Sequence, residues 1–555
     1  MSISARDTRG AGAVPERAAV SPWSPFGYRA FALLWTAGLI SNIGTWMHDV
    51  GAGWLMTTID PSPGIVSLVQ AATTLPIFLF ALLAGSLADR LDKRRLLVTI
   101  NLCLSVIVAL LAVLVMNKQV TPVTLILFTF AIGTGAAFLG PAWQSVVPSL
   151  IPRENLQAAI ALNSLGFNIS RAIGPAIAGL LITAVGVSAP FALNAVSHLV
   201  IIAALLIWKP ERRAPDRLPP EPLFASMLEG VRHASFNVPL KATLVRAAGF
   251  FLFASAYWSL LPLIARQLPG GGPELYGALL GTLGAGAVAG ALLLPKFRMR
   301  FDSNAAASGG VIVTAISMLT LAFAPTAVMA IAAAFLGGMG WITVLTSLNV
   351  SAQTALPNWV RARGLAIYMM TFFGSMALGA TIWGQVAELT TIHTSLAIAA
   401  VAVVLAIPLT SHCRLGQGEA LDLSPAGAWP TPRVRGNVEL GRGPVLVTVR
   451  YRIDPANEAE FLAAIHALSG ERYRDGAYQW GVFQDTSDPA VWNESFMLSN
   501  WAEHLRQHER VTEHDRRLQE AVHQWHTEAS PPTVEHWLAP AREAQTKTRE
   551  TSPKT

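Results

Sequence analysis

Charged residues are scarce in this chain of 555 residues: Asp, Glu, Lys and Arg make up 13% of it, and hydrophobic residues make up 52%. A soluble protein carries roughly 25% charged residues, so the composition excludes an ordinary soluble protein. The shortage is confined to the sequence before about residue 410, and the sequence that follows residue 415 has a soluble composition. The sequence therefore predicts one part in lipid and one part in water.

Cysteine is also scarce, and Cys103 and Cys413 are too few for a disulfide framework. The tail 1–26 is polar and lacks the apolar core of a cleavable signal peptide; we expect it to be cytoplasmic. The net charge is +6, but the sequence has no basic, aromatic-rich tract of the kind that binds nucleic acid. We therefore predict no nucleic-acid partner. The Gly-x-x-x-x-Gly-Lys-Ser/Thr motif of ATP-binding loops is missing, and we predict no cofactor, metal site or catalytic residue.

Twelve apolar segments are long enough to cross a bilayer, which takes about 20 helical residues. They lie at approximately 29–56, 64–88, 95–116, 121–143, 155–184, 188–208, 241–265, 274–296, 305–324, 326–350, 364–387 and 394–411. Lys and Arg concentrate in the loops after the even-numbered segments, and such loops lie in the cytoplasm. The pattern predicts an all-α protein of the bacterial inner membrane with both termini cytoplasmic.

Glycine and proline residues of the first half align with glycine and proline residues of the second half when the sequence is aligned with itself at one fixed offset. The coinciding pairs are Gly85 with Gly290, Gly133 with Gly338, Pro152 with Pro357, Gly174 with Gly379, and Gly179 with Gly384. Close helix packing alone would explain the glycines, but not their common offset. The pattern predicts two six-helix halves, 27–208 and 241–411, joined by a cytoplasmic linker, 209–240. Parallel repeats of this kind are typical of alternating-access transporters, which bind substrate between the halves.

The loop between the second and third segments has the pattern Gly-x-x-x-Asp-Arg-x-x-Lys-Arg. Its residues are Gly85, Asp89, Arg90, Lys93 and Arg94. This pattern resembles the signature loop of the major facilitator superfamily, although Asp92 stands where a second Gly is usual. The resemblance implies a twelve-helix transporter whose charged loop forms a cytoplasmic gate. The alternative is that the basic cluster only fixes the topology.

Three stretches, 42–49, 140–148 and 163–175, resemble the branch that contains enterobactin-type exporters and macrolide efflux proteins. The resemblance covers roughly residues 22–411. It implies proton-driven export of a small molecule, such as a siderophore, a drug or another metabolite. Gly174, Pro175 and Gly179 resemble the Gly-Pro motif of helix 5 in exporters of this superfamily, although the upstream glycines are spaced differently.

Two charged residues lie deep in the predicted spans, where an ionisable group costs at least about 2.5 kcal/mol. They are Asp49 in the first span and Arg171 in the fifth. We expect Asp49 to carry the transported proton or to bind a cationic part of the substrate; the alternative is a static ion pair with Arg171. Polar residues that could line a cavity or form interhelical hydrogen bonds are His48, Asn163, Asn168, Asn194 and His198.

A soluble domain, 444–540, is predicted after a linker, 412–443, and before a disordered tail, 541–555. Its strands are predicted at 445–453, 478–483, 495–498 and 533–538, and its helices at 455–470 and 501–525. This order predicts a ferredoxin-like α+β fold. The domain resembles dimeric antibiotic-biosynthesis-monooxygenase-like domains, which implies a homodimer or ligand sensing. His504 and His508 lie one turn apart without a third ligand, so we interpret them as part of a solvated helix face.

Two functions fit these observations. The first is a secondary active exporter of a small molecule. The second is a non-transporting membrane sensor or scaffold whose soluble domain binds or modifies a ligand. Asp49, Arg171 and Asp89 favour transport, because a scaffold has no use for a costly acid inside the membrane.

Overall fold

A computed structural model describes residues 21–209, 223–427, 434, 436 and 438–540, without the side chains of 89, 90, 153 and 223–226. The predicted disordered tail, residues 1–20 of the predicted N-terminal tail and residues 210–222 of the predicted linker lie outside this description.

Twelve helices in the described ranges are long and apolar enough to cross a membrane. The first half contains α1 (Arg29–Ile59), α2 (Pro63–Arg90), α3 (Lys93–Met116), α4 (Pro122–Val146), α5 (Leu156–Ala184) and α6 (Ser188–Ile207). A shorter helix, α7 (Leu223–Phe236), follows. The second half contains α8 (Val238–Gln267), α9 (Pro273–Arg298), α10 (Ser303–Ala322), α11 (Ala327–Thr354), α12 (Arg361–Leu389) and α13 (Ile392–Leu409). The twelve predicted spans are confirmed, each within a few residues of its predicted bounds.

The glycines that the sequence repeat pairs make equivalent contacts in the two halves. A Cβ atom on Gly174 of α5 would lie 2.7 Å from the Cβ of Trp46 in α1. A Cβ atom on Gly379 of α12 would lie 2.2 Å from the carbonyl oxygen of Leu252 in α8. Only glycine permits such close helix approach. Because α5 packs on α1 as α12 packs on α8, the two six-helix repeats are confirmed.

The halves also contact each other at the end of the bundle where α1 ends, which we call the distal end. A Cβ on Gly179 of α5 would lie 2.6 Å from the carbonyl oxygen of Pro273 in α9. Trp54 of α1 stacks on Tyr276 of α9, with ring centroids 6.5 Å apart. At the opposite, proximal end, where α1 begins, the first half has a separate apolar core that includes Phe31. The halves therefore share a core toward the distal end.

The soluble domain forms a four-stranded antiparallel sheet with the strand order β2-β3-β1-β4. In chain order its elements are β1 (Val445–Arg452), α14 (Glu458–Arg474), β2 (Tyr478–Gln484), β3 (Val491–Leu498), α15 (Trp501–Arg510), α16 (Glu513–His523) and β4 (Thr533–Leu538). This arrangement confirms the ferredoxin-like α+β prediction.

The single long helix predicted at 501–525 is wrong, because the chain breaks between α15 and α16. Thr512 forms a capping box with Asp515 at the start of α16. The Thr512 hydroxyl accepts a hydrogen bond from the Asp515 amide at 3.3 Å, and the Asp515 carboxylate accepts one from the Thr512 amide at 2.8 Å. These bonds satisfy amide groups that a helix start leaves unpaired, so a new helix begins here.

Helix α7 was not predicted, and it connects the membrane helices to the soluble domain. Glu229 of α7 is 5% exposed and pairs with Arg363 of α12 and with Arg510 of α15, the latter at 2.5 Å. Arg232 of α7 lies 3.4 Å from Glu503 of α15, which also binds Arg510 at 2.8 Å. We call these five residues the docking hub. Its charges hold the soluble domain against the start of α12.

Candidate functional site

One face of α1 carries small and polar residues at every third or fourth position. Gly38, Asn42, Thr45 and Asp49 follow this spacing, which places them in one row along the helix. The row begins near the proximal end and runs toward the distal contact between the halves. Gly38, Asn42 and Thr45 of this row line a cavity, and the row ends at Asp49, the one acid of α1.

A cavity of about 400 Å³ lies among α1, α3, α4, α5 and α6. Its polar lining consists of Ser41, Asn42, Thr45, Asn101, Gln144, Asn163, Asn194 and His198, and its aromatic lining of Trp35, Trp143 and Phe167. Gln144, near the proximal end of α4, is exposed, as are Gly140 of α4 and Phe167 of α5; we call the opening at Gln144 the mouth. Among the described lining residues there is no charged side chain. All of them belong to the first half, whereas the repeat architecture predicted a site between the halves.

The cavity brings together three of the predicted polar residues, Asn163, Asn194 and His198. His198 Nδ1 lies 3.0 Å from Oδ1 of Asn101, whose amide nitrogen donates to a backbone carbonyl of α3. The Nδ2 of Asn194, 1% exposed, has no hydrogen-bond partner in the described structure. An unpaired buried donor is costly unless a ligand or water accepts from it. The side chain of Asn194 is thus available to donate a hydrogen bond to a ligand in the cavity.

Asn101 and Gln144 were missed by the sequence analysis. Each is a polar residue in an apolar span, the same signal that selected Asn163 and Asn194, so that signal could have found them. Asn168 does not line the cavity; it is half-buried and donates to the carbonyl of Ser164 at 2.8 Å.

His48 and Asp49 lie beyond the inner end of the cavity. His48 is 1% exposed and packs edge-on against Phe191, with ring centroids 4.9 Å apart. Asp49 lies one turn beyond Thr45, about 6 Å farther along the helix. One further turn on, a Cβ on Gly53 would lie 2.9 Å from the hydroxyl of Tyr276 in the second half. Asp49 therefore lies between the cavity and the distal contact.

Arg171 does not pair with Asp49, so the static ion pair considered from the sequence is wrong. Its guanidinium lies 6.0 Å from the ring centroid of Trp46 and 5.4 Å from that of Trp258. Nε and Nη2 of Arg171 are buried without a hydrogen-bond partner in the described structure. Because Trp46 belongs to the first half and Trp258 to the second, this cation–π contact connects the halves.

The Gly-Pro motif of α5 packs within its own half through Gly174 and against the second half through Pro175 and Gly179. Gly174 contacts α1, Gly179 contacts α9, and the carbonyl oxygen of Pro175 would lie 2.4 Å from a Cβ on Gly277 of α9. The motif thus allows backbone-to-backbone contact between the halves. Any change in their relative position must change this contact.

The basic residues at the start of α3 cap two helices of their own half. Lys93 donates to the carbonyl of Ser145 at 2.8 Å, and Arg94 donates to the carbonyls of Leu205 and Leu206 at 2.7 and 2.5 Å. Cations at helix C-termini compensate the helix dipole. A Cβ on Gly85 would meet no atom within 4 Å. The side chains of Asp89 and Arg90 lie outside the described residues.

A second cluster lies in the soluble domain, where His536 of β4 joins His504 and His508 of α15. His504 is 1% exposed. The interpretation of this pair as a solvated helix face is therefore wrong for His504, and the third histidine comes from an element distant in the sequence.

Comparison with known proteins gives a consistent classification. Residues 20–544 match the family described as transmembrane secretion effector. The staphyloferrin A transporter of Staphylococcus aureus is 27% identical over 267 residues, which cover 46% of this chain and 64% of that transporter's length. The multidrug efflux pump Tap of Mycolicibacterium fortuitum is 25% identical over 372 residues, covering 65% of this chain and 90% of the pump.

Among solved structures, a bacterial homolog of the human lysosomal transporter Spinster has a TM-score of 0.57 to this chain at 14% identity. The match covers 70% of this chain and 98% of that structure. At this identity the likeness concerns the fold, which is that of the twelve membrane helices.

Proposed function

The chain belongs to the transmembrane secretion effector family and is an integral membrane transporter of the major facilitator type, and from this premise we propose that it exports a small molecule. The observation that carries the proposal is the cavity of the first half, with its amide and aromatic lining. The named relatives support the proposal, since one is a siderophore transporter and one a multidrug efflux pump.

The substrate is a drug-sized amphiphilic molecule with an aromatic or weakly cationic part. A cavity of about 400 Å³ falls within the 300–1,000 Å³ that small-molecule sites occupy. Trp35 and Trp143 offer faces for stacking and for cation–π contact. Asn163, Asn194 and His198 offer hydrogen bonds. A small polyanion is disfavoured because the described lining has no positive charge to stabilise it.

The proximal end faces the cytoplasm, in keeping with the positive charge of its loops, and both termini lie on that side of the inner membrane. The cavity mouth at Gln144 then admits substrate from the cytoplasm. Alternating access requires the distal contacts around Gly179 and Gly277 to separate while the proximal ends approach each other. The loop of Gly85, Asp89, Arg90, Lys93 and Arg94 then acts as the cytoplasmic gate.

Export is coupled to protons through Asp49. This carboxylate lies between the cavity and the contact that must open. An acid that is desolvated in one state and solvated in another can take up and release a proton. Arg171 lies between Trp46 of the first half and Trp258 of the second, so the surroundings of its positive charge change when the halves move.

The soluble domain forms a homodimer through the face of its sheet that points away from its helices. Strand register places Tyr478, Met497, Leu446 and Trp537 in one row across the four strands. Trp537 is 58% exposed and Tyr478 40%. An apolar row of this kind is a typical protein interface. Trp537→Glu should convert a dimer into a monomer in multi-angle light scattering; unchanged mass would reject this interface.

An accumulation assay tests the export function. Cells that express the chain should accumulate less of an amphiphilic dye such as ethidium than cells with an empty vector. Asn163→Leu should abolish the difference by removing a hydrogen-bonding group from the cavity. Asn117→Leu, at the exposed end of α3, is the matched control and should export normally. Equal accumulation across a panel of dyes, siderophores and macrolides with and without the chain would reject the proposal.

A further inference from the structure

Three of the soluble domain's histidines, His504, His508 and His536, lie together on one side of the sheet. His504 and His508 are one turn apart on α15 and share a face. His536 pairs with the buried Val447 in the sheet, on the face that the helices cover. The ring centroid of His504 lies 4.7 Å from that of His508 and 4.6 Å from that of His536. One nitrogen from each ring lies within 4.8 Å of the other two.

His504 is buried without a partner for its polar atoms. Both its ring nitrogens lack a hydrogen bond in the described structure, and the side chain is 1% exposed. Buried polar groups are almost always hydrogen-bonded, and an exception calls for an explanation. Gln507, one turn along the same helix face, is also 1% exposed and has an unpaired Oε1. His504 and Gln507 are therefore the buried polar groups that a ligand at this cluster would meet first.

The chemistry of the cluster selects the ligand. The cluster offers three imidazole rings and, among its described members, no carboxylate or thiolate. Neutral imidazole is the form that binds metal ions. Trp501 packs on both rings, with centroids 5.1 Å from His504 and 6.3 Å from His536, and it shields one side of the cluster.

We propose that His504, His508 and His536 bind one divalent transition-metal ion. Zinc fits best, because it takes imidazole ligands in tetrahedral geometry, and three protein ligands leave the fourth position open. Mg²⁺ and Ca²⁺ are excluded as preferred ions because they select oxygen ligands.

The site connects to the rest of the molecule through α15. The same helix contributes Glu503 and Arg510 to the docking hub, and a bound ion would fix α15 to β4. Metal occupancy is therefore expected to stabilise the soluble domain where it contacts α7. A ligand that binds only the folded state stabilises it in proportion to the logarithm of its concentration.

Zinc binding to the full-length protein tests the proposal. The protein is purified in detergent without a polyhistidine tag, treated with a chelator, dialysed and titrated with Zn²⁺ by isothermal calorimetry. Co²⁺ serves as a second probe, because its visible absorption reports tetrahedral coordination. We expect one high-affinity Zn²⁺ per chain and an affinity about 100-fold weaker in His504→Ala and in His536→Ala. Loss of a ligand should cost at least as much as the loss of a group that only orients one.

His466→Ala is the matched control, since His466 is an exposed histidine of the same domain; it should bind Zn²⁺ like the wild type. His536 is half-buried on an edge strand, so His536→Ala tests the site even if His504→Ala fails to fold. The proposal is overturned if the wild-type chain binds no Zn²⁺ tightly. It is also overturned if His536→Ala binds Zn²⁺ as the wild type does.

Discussion

Replacing Glu229 by alanine should release the soluble domain from the membrane helices. The carboxylate is 5% exposed and pairs with Arg363 and Arg510. Removing one partner of a buried ion pair costs about 3–5 kcal/mol. Arg363 is 28% exposed, so water replaces part of its contact, and Arg510 keeps Glu503 at 2.8 Å. We therefore expect about 3 kcal/mol, the lower end of that range.

A loss of this size changes the ratio of docked to undocked molecules by more than about 100-fold, since every 1.4 kcal/mol is a factor of ten. Hydrogen exchange of the backbone amides of α7 and α15 measures this ratio in the full-length protein. A double-mutant cycle with Arg510→Ala isolates the coupling between the two residues. Glu535→Ala, an exposed change in β4, is the control.

Either of two results would contradict this role of Glu229. In the first, Glu229→Ala leaves the exchange rates of α7 and α15 unchanged. In the second, the effects of Glu229→Ala and Arg510→Ala simply add, which would mean that the pair contributes nothing to docking.

Three further predictions concern the linker, the distal contact and the soluble domain. Docking of the soluble domain should weaken as the pH falls from 6.5 to about 3. Burial, and after it the charge of Arg474, lowers the pKa of His233 to about 3 in the docked protein. His233 of an undocked molecule therefore binds a proton that His233 of a docked molecule does not. Hydrogen exchange of α7 should accordingly depend less on pH in His233→Leu; equal pH profiles would contradict this. Gly277→Leu should abolish transport at normal expression levels, because its side chain meets the carbonyl oxygen of Pro175, whereas Gly309→Leu, where a Cβ meets no atom within 4 Å, should transport normally. Thr512→Ala should destabilise the full-length protein's soluble domain by about 1 kcal/mol through loss of the cap, as measured by urea unfolding followed by tryptophan fluorescence; an unchanged midpoint would rule out the cap as a source of stability.

The membrane fold was predictable because its signals are local. Span length follows from bilayer thickness, and the common offset of Gly174 with Gly379 reports a repeat without any tertiary information. The depth of Asp49 and Arg171 was also readable, but the side of the helix each residue faces was not. Their pairing therefore stayed open until the structure placed Arg171 between Trp46 and Trp258.

The parts that escaped prediction depend on contacts between distant segments. Helix α7 is stabilised by Arg363 and Arg510, neither of which lies near Glu229 in the sequence. His536 joins His504 only because β4 pairs with β1. The break before α16 is different, since the Thr-x-x-Asp spacing of its capping box is a local signal that the sequence analysis overlooked.

Proton-driven transport in inside-out membrane vesicles tests the central claim most directly. A dye that the accumulation assay identifies as a substrate is added to the medium outside vesicles with an imposed pH gradient, and the initial rate of dye uptake is measured for the wild type, Asp49→Asn and Asp60→Asn. Asp60 lies at the end of α1 and is the matched control. We expect Asp49→Asn to bind dye but to lose gradient-driven transport, and Asp60→Asn to transport like the wild type. Transport by Asp49→Asn at the wild-type rate, with the same dependence on the gradient, would contradict this expectation.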